Sequence, residues 1–457
     1  MDPMKANPLV VALGLLAVLG GAVYYTSENP PATDEEARPT LVEVDQKEIA
    51  RIVIGRPSGD SVSFVRNEDD KWDFGDGIDF PADEAAVGLM ATNLAGMSAE
   101  RMVEDEVSDW RPFGLEDQGN LAVTMTPKEG EAVTVLFGNE TPTGSAVFAR
   151  LAQDPRLFTV YNYVKTSFDK TIFDWRSKKL LQVASDSVQS LRLTVGSNRY
   201  AFAPDGPGKW NILEPAPVRA DDFTVGELVR AVQNVEMTEA VSEERASSLQ
   251  RAFSRPFAVA ELNDGSDHSL TVARSGDDYF ASTTDMEGVF AVSTVFAESL
   301  DKDLEELRDK KLFDFGFDPV LEIEIRDAGA VSTIRKADQD WVLSSDGARV
   351  LNSEAVQTLI DSLRNLAAVE FVSDRRGDQA GRGLGSPVLT ASVTSGEDAT
   401  ETVILTEPAA DRVFAAREGE PTTYRLERTQ AEEVRRALAS ILEPSSPAPA
   451  QPQPSAQ

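Results

Sequence analysis

The sequence predicts an α+β protein: an N-terminal single transmembrane helix followed by three tandem β-rich α+β repeat units, with a disordered, proline-rich C-terminal tail. Three observations predict it. Leu9 to Tyr25 is an unbroken apolar run, three tryptophans head the same register of apolar residues, and the last fourteen residues hold five prolines.

Leu9 to Tyr25 (LVVALGLLAVLGGAVYY) has seventeen residues with no charge. As a helix at about 1.5 Å per residue it reaches roughly 25 Å, close to the hydrocarbon thickness of a bilayer. Lys5 and the α-amino group precede the run, and Glu28, Asp34, Glu35 and Glu36 follow it. The positive-inside tendency therefore puts the N-terminus in the cytoplasm and the bulk of the chain on the far side of the membrane. The competing reading is a cleaved signal peptide. Gly20, Gly21 and Ala22 make a poor cleavage site, and the run is longer than an ordinary signal core, so the anchor is favoured. Ala17 and Gly21 form a small-x-x-x-small pair suited to packing on another membrane helix.

Residues 26–45 read as a linker, because Thr26 to Thr40 mixes Pro, Asp, Glu and small polar residues without apolar periodicity. Repeat units follow over 46–183, 184–316 and 317–443, and 444–457 is the disordered tail. Each unit begins with short alternating segments that lead to Lys71-Trp72, Lys209-Trp210 or Asp340-Trp341. Ile52, Ile54, Val62 and Phe64 alternate in the first, Leu191, Leu193, Tyr200 and Phe202 in the second, and Ile323, Ile325 and Ile334 in the third. Period-two alternation broken by polar turns predicts antiparallel strands with one buried face.

After each tryptophan the spacing is kept without a gap. At offset 15 stand Val87, Val225 and Val356; at 18, Met90, Leu228 and Leu359; at 22, Leu94, Val232 and Leu363; at 25, Met97, Val235 and Leu366; at 31, Val103, Val241 and Val372. Steps of three, four and three describe one face of an α-helix. Its N-cap falls at Asp83, at Asp221 or Asp222, and at Asn352 or Ser353. The second halves match more loosely, through Phe148-Ala149-Arg150, Phe280-Ala281-Ser282 and Phe414-Ala415-Ala416. The first two units also close alike, with Trp175-Arg176-Ser177-Lys178-Lys179-Leu180 and Leu307-Arg308-Asp309-Lys310-Lys311-Leu312, 132 residues apart.

Charge and composition exclude several functions. Lys and Arg total 44 against 77 Asp and Glu, a formal net charge of −33, which repels nucleic acid and anionic lipid surfaces. The absence of cysteine removes disulfides, thiol nucleophiles and thiolate metal sites. The single histidine, His268, sits in a polar loop and reads as an exposed turn residue, since no Gly-x-Ser-x-Gly elbow accompanies it and one imidazole cannot build a histidine-rich metal site. Ser167-Phe168-Asp169-Lys170 has the Ser-x-x-Lys spacing of some acyl enzymes without their companion motifs, and Asp73-Phe74-Gly75 and Asp314-Phe315-Gly316 spell a kinase tripeptide without a kinase glycine loop.

The carboxylate-rich turn Asp69 to Asp79 offers hard oxygens to Ca²⁺ but misses the EF-hand register, because Ile78 stands where glycine is needed. A solvated turn is the better reading. Gly381-Arg382-Gly383-Leu384-Gly385 lacks the spacing and the Lys-Ser/Thr ending of a phosphate loop. Lys178-Lys179 and Lys310-Lys311 read as cations finishing helices rather than as a docking patch, and Trp72, Trp210 and Trp341 as core anchors rather than ligand platforms. No catalytic residue, cofactor or metal is therefore expected.

The N-terminal apolar span, the Lys-Trp-bearing meanders and the Leu-Arg-Asp-Lys-Lys-Leu ending at Leu307 to Leu312 resemble the domain-of-unknown-function 4340 family of bacterial envelope proteins. The resemblance covers essentially residues 1 to 443. It implies a non-enzymatic, membrane-anchored accessory or scaffold protein of the inner membrane, with the bulk of the chain in the periplasm, held in the lipid bilayer by Leu9 to Tyr25. It also implies a protein partner such as an ABC transporter permease, and it carries no catalytic residue. The alternative reading is a periplasmic binding module for a glycan or lipid in a groove between units.

Overall fold

The computed structural model describes residues 38–443 except 76, 79, 117–119, 184–186, 397–398 and 408–411. Three antiparallel sheets of eight, nine and nine strands dominate it. The described chain divides into two compact units, one ending at Lys178 and holding the first sheet, the other beginning at Lys179 and holding the second and third.

In the first unit the strands are Ile49–Gly55, Ser61–Arg66, Trp72–Phe74, Arg101–Glu104, Leu121–Pro127, Val133–Glu140, Ala146–Leu151 and Leu157–Tyr161. Numbered along the chain, they lie side by side in the order 3-2-1-5-6-7-8-4. The first three strands form one meander and strands five to eight another. Antiparallel pairing of strands one and five fuses them, with Ile52 opposite Met125 and Ile54 opposite Val123. The second and third sheets repeat this order, each adding a two-residue strand, Val218–Arg219 or Arg349–Val350, outside the third.

Between the third strand at one edge and the fourth at the other, the chain crosses the sheet face as a twelve-residue helix: α1 (Glu84–Ala95), α2 (Asp222–Gln233) and α3 (Ser353–Arg364). Asp83, Asp221 and Asn352 are the N-caps, each accepting from a backbone N–H of the first turn. The residues at offsets 15, 18 and 22 from each tryptophan are buried, as their spacing predicts. The helices stop at Gly96, Asn234 and Asn365, so Met97, Val235 and Leu366 at offset 25 lie just beyond the helix, still buried. Val103, at offset 31, is exposed on the outer strand.

The fold class needs two corrections. Strands prevail over helices because the loosely matching second half of every repeat supplies four more strands that extend the first meander into a single sheet, leaving the helices as short covers on its face. The expected transmembrane helix and the single-pass inner-membrane placement are also overturned: among the described residues no helix is long and apolar enough to cross a membrane. The longest described helix, Arg428–Leu442, has fifteen residues, reaches only about 22 Å, and carries three arginines and two glutamates, none of them buried. Leu9 to Tyr25, on which that placement rested, lies outside the described residues, as do residues 26–37 of the linker and the tail 444–457.

Candidate functional site: the junction of the second and third repeats

The first two repeats are each closed by a short segment that bonds back to the turn before the crossing helix. Asp83 donates its N–H to the Trp175 carbonyl at 2.7 Å in the first, and Asp221 donates to Leu307 at 2.8 Å in the second. Ala82 bridges Arg176 and Ala220 bridges Arg308 in the same way. Trp175 and Leu307 are thereby fully buried.

All three repeats open alike. Leu41, Leu180 and Leu312 donate to the carbonyls of Met97, Val235 and Leu366 at 2.8, 2.9 and 2.9 Å, tying the entering segment to the end of the crossing helix. Within the second unit, only three residues separate Arg308, anchored in the second repeat, from Leu312, anchored in the third. So short a connection leaves the two repeats little freedom to swing.

Charged side chains fill the junction around it. Arg308 makes a bidentate pair with Asp374 at 2.7 and 3.0 Å, lies 3.9 Å from the ring centroid of Phe371, and approaches the Thr422 hydroxyl at 3.3 Å. Thr422 in turn donates to Asp374 at 2.9 Å. On the other side Arg219, carried by the two-residue edge strand, pairs with Asp309 at 2.5 Å and Glu420 at 3.2 Å and donates to the Lys311 carbonyl. Arg417 pairs with Glu420 at 3.0 Å and Glu401 at 3.1 Å, and Glu401 also accepts the Asp314 N–H at 2.7 Å.

Burial works against the Arg219 charge, but Asp309 and Glu420 outweigh it and hold the guanidinium above the ordinary arginine value. Tyr424 donates to Glu420 at 2.8 Å, and burial together with that carboxylate pushes its hydroxyl up to about 12. A cleft of about 240 Å³ beside this network is lined by Ile212, Leu213, Val218, Arg219, Glu420 and Pro421. The network satisfies charge with charge: two guanidiniums are shared among three carboxylates, which suits a fixed joint.

The other sequence candidates fall in separate places. Ser167 donates to the Val164 carbonyl at 2.7 Å, while Lys170 lies over the Trp175 ring, so the Ser-x-x-Lys pair is not assembled. In the two kinase-like tripeptides Phe74 and Phe315 are core residues; a Cβ on Gly75 would collide with the Ser63 hydroxyl, and Gly316 takes a left-handed φ of 50°. Asp69 and Asp70 stand in a hairpin turn and Asp73 in the strand that leaves it, accepting from Asn67; Asp76 and Asp79 lie outside the described residues. Among the described residues no group of three or more His, Cys, Asp or Glu side chains is placed to hold a metal.

Lys178 reaches the Asp174 carbonyl at 3.4 Å and Lys310 pairs with Glu305 at 3.4 Å. Arg382, within Gly381 to Gly385, lies over the Phe414 ring. Trp72 and Trp341 are buried and Trp210 is half-buried, each beginning or entering the third strand rather than ending the meander. His268 departs from its expectation. It is not an exposed turn residue: its side chain is only 11% exposed, held between Asp285 at 2.6 Å and Asp264 at 3.2 Å.

The family model described as "Domain of unknown function (DUF4340)" matches residues 72–213, 210–376 and 341–445. The chain belongs to the DUF4340 family. Its three matches open at or beside Trp72, Trp210 and Trp341, the third strands, so each runs from inside one structural repeat and the first two end inside the next. The family register thus straddles the junction of the second and third repeats, which the sequence shows only as a repeated ending. The chain matches no curated protein. Sequence reasoning missed the arginine-carboxylate joint, because Asp374, Glu401, Glu420 and Thr422 carry no spacing that distinguishes them from other polar residues of the third repeat; the one available signal was that Arg176 and Arg308 recur 132 residues apart.

Proposed function

We propose that this DUF4340 protein is a non-enzymatic scaffold that presents tandem sheet-and-helix repeats to a protein partner, a component of an ABC-type transport or envelope system. One recurrent observation carries the reading. In the first repeat the crossing helix and the helix Asn162–Phe168 pack together and leave Leu89 62% and Tyr163 70% exposed. In the second, α2 and the helix Thr294–Ser299 pack together and leave Phe223 74% and Val295 81% exposed. Tyr163 and Val295 stand 132 residues apart, the repeat period itself. Large apolar side chains held out in water at the same helix pair of successive repeats suit a protein contact. The choice of partner rests on the family resemblance, and the acidic charge favours a partner with basic loops.

The test is affinity capture of the full chain from detergent-solubilised cells, compared with a variant carrying Leu89→Ser, Tyr163→Ser, Phe223→Ser and Val295→Ser. Capture of a permease or envelope protein by the parent and its loss in the folded variant supports the proposal. Equal capture by both, or capture of no such protein, sinks it.

A second reading has its own observation. An open groove of about 860 Å³ runs between the helix Glu243–Phe253 and the sheet of the second repeat, lined by Glu243, Ser247, Gln250, Phe253, Thr271 and Ser282. Hydroxyls, an amide and one aromatic ring suit a glycan better than a lipid tail. It lies within one repeat instead of between repeats. Absence of binding heat with cell-wall glycan fragments would remove this reading.

A further inference from the structure

His268 is the one imidazole in the chain, and with Asp264 four residues before it and Asp285 seventeen after it the ring is linked to the distant segment around Gln182. Its own strand, Asp267–Ser275, brings it beside the turn that carries Asp264, whose carboxylate stands 3.2 Å from Nε2. From the next hairpin, Asp285 stands 2.6 Å from Nδ1. The same Asp285 oxygen, Oδ2, accepts the backbone N–H of Gln182 at 2.7 Å, in the segment by which the chain enters the second repeat. Thr284 donates to the other oxygen of Asp285 at 3.1 Å, and Ser187 approaches Asp264 at 3.5 Å. The two carboxylate side chains are 13% and 8% exposed, so water screens the cluster weakly.

We propose that His268 is a proton-operated clamp, which in its doubly protonated form fastens the Asp264 turn and the Asp285 loop to the entry segment of the second repeat, and which releases them when the ring loses its proton. The chemistry follows from the two ring nitrogens. An imidazolium has an N–H at each and donates to both carboxylates at once; a neutral ring has one N–H, so one carboxylate then faces a nitrogen lone pair. Two anions about one neutral ring also repel each other at close range.

Among the described residues the charged groups facing the ring are Asp264 from the turn and Asp285 from the following loop. Asp267, on the ring's own strand, is turned to the Asn263 amide at 2.7 Å. Asp285 and Asp264 make the largest charged contributions to the ring's electrostatics. Burial alone would lower the basicity of His268, but the hydrogen bonds and charges of Asp285 and Asp264 prevail and raise it above the ordinary value.

The experiment uses the full chain. With one histidine, the ring gives a single set of imidazole resonances, and an NMR titration reads its protonation directly. Hydrogen exchange at the amides of Gln182 and Gly265 to His268, corrected for intrinsic rate, reads the clamp. The expected result is a ring pKa above that of a free histidine, and exchange that accelerates as pH rises through it, by about tenfold for each unit of elevation. His268→Gln, which keeps one amide donor, removes that pH dependence while the other two sheets keep their protection. Ring titration at or below the free value, or exchange at these amides with no pH dependence beyond the intrinsic rate, overturns the proposal. If His268→Gln fails to fold, Asp285→Asn serves instead, and an unchanged ring pKa in that variant overturns it equally.

Discussion

The guanidinium of Arg308, in the segment that closes the second repeat, lies 3.9 Å from the ring centroid of Phe371 and makes a two-point pair with Asp374, both in the third repeat. One side chain thus supplies a cation–π contact and a bidentate ion pair to its neighbour. Arg176, at the same place in the first repeat, lies 4.1 Å from the ring centroid of Phe80. Both closures use a planar cation that stacks on a ring, and at Arg308 the same guanidinium also forks to a carboxylate, which lysine cannot do.

Replacing Arg308 by alanine leaves Asp374, 31% exposed, with the Thr422 hydroxyl but without its cation, and empties an arginine site only 5% exposed. Breaking a pair buried on the arginine side alone is expected to cost about 2 kcal/mol, read as a lower denaturant midpoint for the second unit. Arg308→Lys should recover only part of the loss. A midpoint unchanged in the alanine variant would show that the joint contributes nothing to stability.

The caps Asp83, Asp221 and Asn352 perform the same task in three separate helices. Each change to alanine should cost about 1 kcal/mol. The losses from Asp221→Ala and Asn352→Ala should add, because the caps share no partner. Circular dichroism in urea measures this; a neutral effect at any of the three would contradict the cap assignment there.

Tyr424 is one of seven tyrosines, and its hydroxyl is pushed up to about 12. Spectrophotometric titration should therefore find one phenol missing from the Tyr424→Phe variant only at the most alkaline end of the curve. The same substitution removes the 2.8 Å bond to Glu420 and should destabilise the junction by about 1.5 kcal/mol. A lost phenol that titrates with the exposed tyrosines would refute the burial argument.

His268 gives stability a definite direction with pH. Its folded-state basicity is raised, so its contribution is fully present below the unfolded value of about 6.5 and is lost as pH rises through the folded value. Denaturant midpoints of the parent should fall across that window, and those of His268→Gln should fall less. Parallel curves for the two proteins would remove His268 from the account.

Much of each repeat was legible because it is written in local periodicity. Alternating Ile52 and Ile54, or Ile323 and Ile325, can bury one face only as strands, and Val356, Leu359 and Leu363 can share one face only as a helix. The cap residues followed from the same local rules. The family was legible too, from the span, the meanders and the repeated ending. The ends of the crossing helices were less so: Met97, Val235 and Leu366 continue the apolar spacing past caps that stop the helix, since both a helix and the strand pairing after it need an apolar residue there.

The sequence by itself determined that three copies of one strand-and-helix pattern follow one another, because each copy carries its own turns, caps and apolar faces within reach of local forces. Only the tertiary structure decided how those pieces join. That the two meanders of a repeat fuse through strands one and five and that Arg308 crosses to Phe371 and Asp374 depend on residues brought together from distant positions, and the grip of Asp264 and Asp285 on the lone histidine depends on two neighbouring hairpins folding against each other. A charged side chain looks the same in sequence whether water or another charge will face it. Its meaning is set by burial, which only the completed fold supplies.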